Sequence, residues 1–165
     1  MYDGRPTDFY WGKGDGTITL DAYHAGITTK NGWGISASDV NNDGAMDLFA
    51  DDLFINRLPS ERRGHWFQVR AIGNAGSNWA ALGATVRVTA GGKTYMRQVE
   101  GGTGKGGQDS QYLHFGLGPA TSVDSISVTY PGGKKVDFAG PFTADQRVWV
   151  YEDGTTYLGW APKSR

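Results

Sequence analysis

The 165 residues carry 16 lysine and arginine and 17 aspartate and glutamate side chains, for a formal charge of −1. This balance argues against a nucleic-acid partner, because such partners usually require a basic face. There is no cysteine for a disulfide framework, and we identify neither a signal peptide at the start nor an apolar run long enough to span a membrane. The 26 glycines and 13% aromatic content favour short strands separated by turns, so we expect an all-β protein.

Residues 1–57 predict a β-rich N-terminal segment. Within it, residues 9–11 and 17–20 flank a glycine-rich turn, a pattern typical of a β-hairpin. Further along, residues 32–35 and 46–49 are short apolar segments on either side of a polar loop. The loop is the strongest functional signal in the chain.

This polar loop, residues 39–47, has the composition of a calcium site. Its oxygen-bearing side chains alternate around one glycine: Asp39, Asn41, Asp43 and Asp47. Calcium takes about six to eight hard oxygen ligands, and Ala45 would add its backbone carbonyl oxygen. Carboxylates this close together would repel one another without a cation. The alternative is an ordinary polar turn, because Asn-Asp-Gly is also common turn chemistry.

The spacing does not predict an EF-hand. An EF-hand loop requires a bidentate glutamate at its twelfth position and a helix on each side. The twelfth position here is Ala50, and the flanking residues show no helical periodicity. We therefore expect a strand–loop–strand hairpin.

The rest of the chain is predicted to form a linker, a β-sandwich and a tail. Residues 58–64 are polar, with proline and glycine, and predict a linker in which Arg62 and Arg63 form a solvated surface pair. Residues 65–153 contain about seven strand-like segments separated by turns, which predicts a β-sandwich. These segments are residues 66–70, 85–89, 94–99, 112–115, 123–130, 135–138 and 147–151. Residues 154–165 are interpreted as a tail.

No catalytic arrangement is evident. Residues 102–107 match a G-x-G-x-x-G pattern, but the segment that follows predicts a strand, whereas a phosphate loop must lead into a helix. Ser110 and His114 are not brought together by strand spacing. Trp79 lies in a predicted loop, where an exposed indole can stack on a sugar or form a central contact with a protein partner. The alternative is that its side chain is buried in the core.

Two families resemble parts of this sequence. The turn at residues 14–17, the loop and its flanking residues resemble an FG-GAP/VCBS repeat, the calcium-loop unit of integrin-type propeller blades. Six motifs resemble the ASPIC/UnbV domain, which follows such repeats in cartilage acidic protein-like proteins: residues 66–70, 77–78, 83–88, 101–104, 114–118 and 131–134. One repeat cannot close a propeller, so the first segment is either a last blade or a calcium hairpin docked on the sandwich.

We therefore expect an all-β fold: a β-sandwich preceded by a calcium-loop β-hairpin segment resembling a propeller blade. The expected function is that of a non-catalytic, calcium-binding extracellular interaction or adhesion module with a protein or glycan partner. The alternative is a carbohydrate-binding module that uses Trp79 and is accessory to an enzyme. Calcium loops of extracellular modules bind at about 10⁻⁴–10⁻³ M, so we expect an extracellular or periplasmic location, as part of a longer exported protein.

Overall fold

The chain is described by a computed structural model that covers residues 8–21, 24–29 and 34–160. Gly32 and Trp33, part of the predicted approach to the loop, lie outside these residues. The described part is all-β, as predicted, with thirteen strands and one short helix. The elements are β1 (Tyr10–Gly12), β2 (Ile18–Leu20), β3 (Ser36–Ser38), β4 (Asp47–Ala50), β5 (Asp52–Phe54), α1 (Ser60–Arg63), β6 (His65–Ile72), β7 (Thr85–Ala90), β8 (Lys93–Gln98), β9 (Leu113–Gly118), β10 (Ser122–Thr129), β11 (Lys135–Thr143), β12 (Gln146–Tyr151) and β13 (Thr156–Leu158).

Two four-stranded sheets form the sandwich. The first has the strand order β11-β10-β7-β8, and the second has the order β13-β12-β6-β9. Their strand pairs are antiparallel except for β6 and β12, which run parallel with Val69 opposite Val148. Between β6 and β12 the chain passes through the first sheet, which supplies the long crossover that a parallel pair requires. All seven predicted strand segments lie in these sheets, so the sandwich prediction is confirmed.

Alternating residues of both sheets fill one core. Val86 and Val88 of β7 are fully buried, as are Phe67 and Val69 of β6. Burying each such side chain contributes about 1.5–3 kcal/mol, so this interior holds the two sheets together. Gln68 lies between two core residues of β6, and its side chain therefore belongs to the outer face of the second sheet. That outer face carries the candidate site.

The N-terminal segment contains the predicted hairpins. In the first, Tyr10 of β1 lies opposite Leu20 of β2, and the carboxylate of Asp15 accepts a hydrogen bond from Thr17 N at 2.8 Å within the turn. The second is part of an antiparallel three-stranded sheet of order β3-β4-β5. Residues 39–47 connect β3 to β4, which confirms the strand–loop–strand prediction.

Two short elements were not predicted. Helix α1 lies in the predicted linker, and β13 lies in the predicted tail, where it pairs with β12 and places Leu158 opposite Val148. Elements of three or four residues are too short to show a readable periodicity. Across the described ranges, no helix is long and apolar enough to cross a membrane.

Candidate functional site

Asp39 begins the 39–47 loop with a buried carboxylate. Its side chain is only 5% exposed. Oδ1 accepts a hydrogen bond from Asp43 N, and Oδ2 accepts one from Gly44 N, each at 3.0 Å. Asp39 thus closes the first turn of the loop through hydrogen bonds to its own side chain.

Asp47 ends the loop with a second buried carboxylate, which is 1% exposed. Oδ2 accepts a hydrogen bond from Val40 N at 2.9 Å, and Oδ1 accepts one from Asn56 N at 2.8 Å. Asn56 in turn donates from Nδ2 to the carbonyl oxygen of Met46 at 3.3 Å. Asp47 therefore ties the two ends of the loop to the segment that follows β5. The sequence did not identify Asn56 as part of this arrangement.

Asn41, Asp43 and Ala45 form the middle of the loop. Asn41 Oδ1 accepts a hydrogen bond from Asp43 N at 3.2 Å, and Asn41 Nδ2 donates to Asp43 Oδ2 at 3.0 Å. Asp43 Oδ1 accepts from Ala45 N at 2.9 Å. Asp39, Asn41 and Asp43 thus form one compact turn in which their side-chain oxygens accept hydrogen bonds from backbone N–H groups. Asp47, the first residue of β4, adjoins this turn through its hydrogen bond from Val40 N.

Arg63 of α1 supplies a cation to the loop, which the sequence interpretation missed. Its Nη1 lies 3.0 Å from Asp43 Oδ2 and donates a hydrogen bond to the Asp43 carbonyl oxygen at 2.8 Å. Its Nε donates to the carbonyl oxygen of Leu58. The interpretation of Arg62 and Arg63 as a solvated pair is therefore wrong for Arg63, because α1 turns this side chain back onto the loop.

A buried glutamine connects the loop to the sandwich. Gln68, only 2% exposed, donates from Nε2 to Asp39 Oδ2 at 3.3 Å. Its Oε1 accepts hydrogen bonds from Arg147 Nε at 2.9 Å and Nη2 at 2.6 Å. The Arg147 guanidinium stacks on the rings of Tyr112 and Trp160, with its carbon 3.6 and 4.5 Å from their centroids. This chain of contacts runs from a loop carboxylate to a cation–π stack.

Gly44 packs the loop against an aromatic residue of β6. Its φ is +86°, and a Cβ built on it would lie 2.2 Å from the Trp66 ring, so only glycine fits here. The Trp66 ring is also stacked with the ring of His114, with 5.9 Å between their centroids. Burial lowers the pKa of His114, an effect that the nearby Asp39 carboxylate opposes and Arg97 reinforces.

The donor set of the loop suits calcium chemically. Three carboxylates, one amide oxygen and one backbone carbonyl are all hard oxygen donors, and each carboxylate offers about four lone-pair sites. Hydrogen bonds from the backbone therefore leave acceptor capacity on these groups. Within the described residues, however, no three aspartate, glutamate, histidine or cysteine side chains form a group that could hold a metal ion.

Two other predicted features lie away from the loop centre. The glycine-rich segment at residues 102–107 leads towards strand β9 rather than into a helix. After it, Asp109 Oδ1 accepts a hydrogen bond from Ala37 N at 2.7 Å, and Ser110 N donates to Ala37 O at 3.0 Å. This segment thus adds to the edge of β3. Trp79 is 65% exposed on the β6–β7 connection, where Gly73 N donates to its carbonyl oxygen at 3.2 Å.

The fold defines an all-β sandwich with a loop-bearing sheet on its outer face. The family model for ASPIC and UnbV matches residues 73–157, about half of the chain, and the chain belongs to this family. Strand β6 precedes the matched range, although it lies between β12 and β9 in the second sheet. No curated protein matches the chain.

Proposed function

We propose that this chain is a non-catalytic, calcium-binding extracellular interaction or adhesion module, with an FG-GAP/VCBS-like calcium segment in residues 1–57. In this proposal Asp39, Asn41, Asp43 and Asp47 hold Ca²⁺ through side-chain oxygens, and Ala45 holds it through its carbonyl oxygen. Bound calcium supplies positive charge to clustered carboxylates. The module is periplasmic or extracellular, and its partner is a protein or a glycan.

The observation that carries this proposal is the burial of two carboxylates at the ends of one short loop. Asp39 and Asp47 are at most 5% exposed, and within the described residues neither has an ion pair. Removing an ionised carboxylate from water is costly unless a cation or several donors compensate. Backbone N–H groups provide part of this compensation, and a divalent cation would provide the rest.

Binding of the ion would favour the docked loop over the undocked one. At free calcium about ten times the dissociation constant, binding adds about 1.4 kcal/mol to the free energy of unfolding. Because Asp39 also accepts a hydrogen bond from Gln68, an ion held by Asp39 would stabilise the contact between the loop and the sandwich. A rigid loop–sheet junction is a suitable surface for a partner.

Calorimetric titration of the apoprotein with calcium tests the proposal. We expect saturable binding heat and a melting temperature that rises from EDTA to millimolar calcium. Asp43→Ala should abolish the heat, because the ion loses a central ligand. Asp52→Ala is the matched control, since Asp52 is an exposed aspartate of the adjoining strand β5. If calcium produces no binding heat in the wild type, the proposal that the chain binds calcium is wrong. If the binding heat is unchanged in Asp43→Ala, the calcium site does not include Asp43.

A second candidate function is that of a carbohydrate-binding module accessory to an enzyme. The observation that favours it is the 65% exposure of Trp79, since an open indole face can stack on a sugar ring. A glycan array probed with wild type and Trp79→Ala tests it. Retention of every glycan signal by the variant would exclude Trp79 as the contact.

A further inference from the structure

A groove crosses the outer face of the second sheet beside the calcium loop. It is bounded by strand β3 and by residues 108–112, and it has a volume of about 670 Å³. Arg70 of β6 and Trp149 of β12 line it and lie directly opposite each other in the parallel pair. The groove is therefore lined both by adjacent strands of the sheet and by the 108–112 segment.

Arg70 is a buried cation that forms no ion pair with the described residues. It is 8% exposed, and its Nη1 donates to the carbonyl oxygens of Ala71 and Ala80, each at 3.3 Å. No carboxylate of the described residues forms an ion pair with it. Burial lowers the pKa of Arg70, an effect that Tyr112 opposes. A guanidinium is rarely taken out of water unless a partner compensates its charge.

Trp149 contributes a second unmatched donor. Its Nε1 is buried and has no hydrogen-bond acceptor in the described part of the chain. Its ring packs edge to face on Tyr112, with 5.7 Å between centroids, so two aromatic residues line the same groove. A cation, an unmatched N–H and aromatic surface together match a ligand that has both an anionic group and an apolar ring face.

We propose that this groove binds the carboxylate of an acidic sugar of the uronic acid class, with Arg70 as its principal partner. The planar guanidinium matches the two oxygens of a carboxylate in a bidentate pair. The hydroxyls of Ser36 and Ser38, which also line the groove, are suitable partners for sugar hydroxyls. The proposal gives the carbohydrate alternative a ligand class and a place other than Trp79, and it does not depend on calcium.

Two features favour a sugar over a peptide or a polyanion. An extended peptide would need a free strand edge, but Ala37 N and O of β3 are already bonded to Asp109 and Ser110. The Asp109 carboxylate also lines the groove and would repel additional negative charge. A ligand with a single carboxylate and a neutral body fits both constraints.

Nuclear magnetic resonance titration with sodium glucuronate, at constant ionic strength and in both EDTA and calcium, tests this proposal. The indole N–H signal that disappears in Trp149→Phe identifies Trp149. We expect glucuronate to shift that signal saturably and glucose to leave it unchanged. Arg70→Gln should weaken glucuronate binding about tenfold or more, because it removes the charged guanidinium that pairs with both carboxylate oxygens. Trp149→Phe, which retains an aromatic ring, should weaken binding severalfold. Because this variant lacks the indole signal, its affinity is measured from the backbone amide signals of Ser36 and Ser38, which line the groove.

The controls separate carboxylate recognition from other causes. Arg87→Gln removes an exposed arginine of the first sheet and should bind like wild type. Equal affinity for glucose and glucuronate, or full affinity in folded Arg70→Gln, would overturn the proposal. Tighter binding of acetate or of a tripeptide with a free carboxyl terminus would overturn the sugar assignment. If Arg70→Gln fails to fold, Trp149→Phe and the ligand comparison in wild type decide the question.

Discussion

Gly44 and Trp66 are in such close contact that a Cβ on Gly44 would lie 2.2 Å from the indole ring. This contact seats the candidate calcium loop on the sandwich. Gly16, in the first hairpin, has nearly the same φ of +87°, but no atom of the described residues would lie within 4 Å of a Cβ placed on it. Substituting each glycine by alanine therefore distinguishes two contributions to the loss of stability. Both variants share the strain of positive φ, and only the variant at Gly44 also disturbs the contact with Trp66.

Gly44→Ala should lower the free energy of unfolding by about 1–3 kcal/mol more than Gly16→Ala does, because only the first substitution overpacks an interface. Both variants share the strain of a non-glycine residue at positive φ. Urea denaturation measures the difference. Equal losses in the two variants would mean that the loop does not rest on Trp66 in solution.

Gln68→Met should destabilise the protein by about 1–3 kcal/mol, since it removes the acceptor of Arg147 and a donor to Asp39 within a buried site. A double-mutant cycle with Arg147→Met should give a coupling energy of about 0.5–3 kcal/mol, as expected for residues in one network. Denaturant unfolding of the four proteins provides this value. Strict additivity would show that the glutamine and the arginine act independently.

Arg63→Gln should lower the melting temperature in EDTA and increase the stabilisation produced by calcium. Arg63 is the cation beside Asp43, so its removal leaves a carboxylate whose charge calcium would neutralise more fully. Thermal unfolding in EDTA and in calcium measures both effects. Arg62→Gln, at the exposed neighbouring position, is the control. A calcium shift identical in Arg63→Gln and wild type would contradict the expectation.

Glu152→Gln should destabilise the fold at neutral pH by about 1–3 kcal/mol, because the buried carboxylate accepts hydrogen bonds from Ala75 N and from Ser77 N and Oγ. Desolvation raises the pKa of Glu152, but these bonds outweigh it and hold the pKa below its ordinary 4.5. The contribution is therefore present above pH 4.5 and is lost as the pH falls through the lowered value.

Urea midpoints as a function of pH test this expectation, with Glu100→Gln as the control at an exposed position. The difference in urea midpoint between wild type and Glu152→Gln should decrease to zero on acidification. A gap that stays constant into strong acid would indicate that charge at Glu152 plays no part.

The pH dependence of stability should also depend on His114. Its pKa is lowered by burial below the ordinary 6.5, so the unfolded chain binds a proton at higher pH than the folded chain. Stability is then complete above pH 6.5 and decreases as the pH falls below it. His114→Gln should flatten this decrease between pH 6.5 and about pH 5 in EDTA. Urea midpoints of wild type and His114→Gln as a function of pH measure the slope, and an identical slope in the two proteins would contradict the expectation.

The sandwich and the loop hairpin were predictable because their signals are local. Alternating residues such as Val86 and Val88 identify a strand within a few positions, and the 39–47 spacing identifies the loop within nine residues. Turn glycines then delimit each strand. The calcium assignment itself stays a prediction.

The support beneath the loop was not predictable, because it joins residues that are distant in sequence. Gln68 and Asp39 are 29 positions apart, and Arg147 lies 79 positions from Gln68. A single sequence contains no local pattern that relates such positions. Arg63 shows the same limit at shorter range, since only the turn of α1 directs it back to Asp43.

The parallel pairing of β6 with β12 has a consequence for the order of folding. Closing this pair brings together segments about 80 residues apart, and long loop closures slow folding. The Gln68–Arg147 contact on which the loop rests cannot exist until β12 has joined the sheet. The hairpin that carries the 39–47 loop therefore gains this part of its support on the sandwich only after β12 has paired with β6.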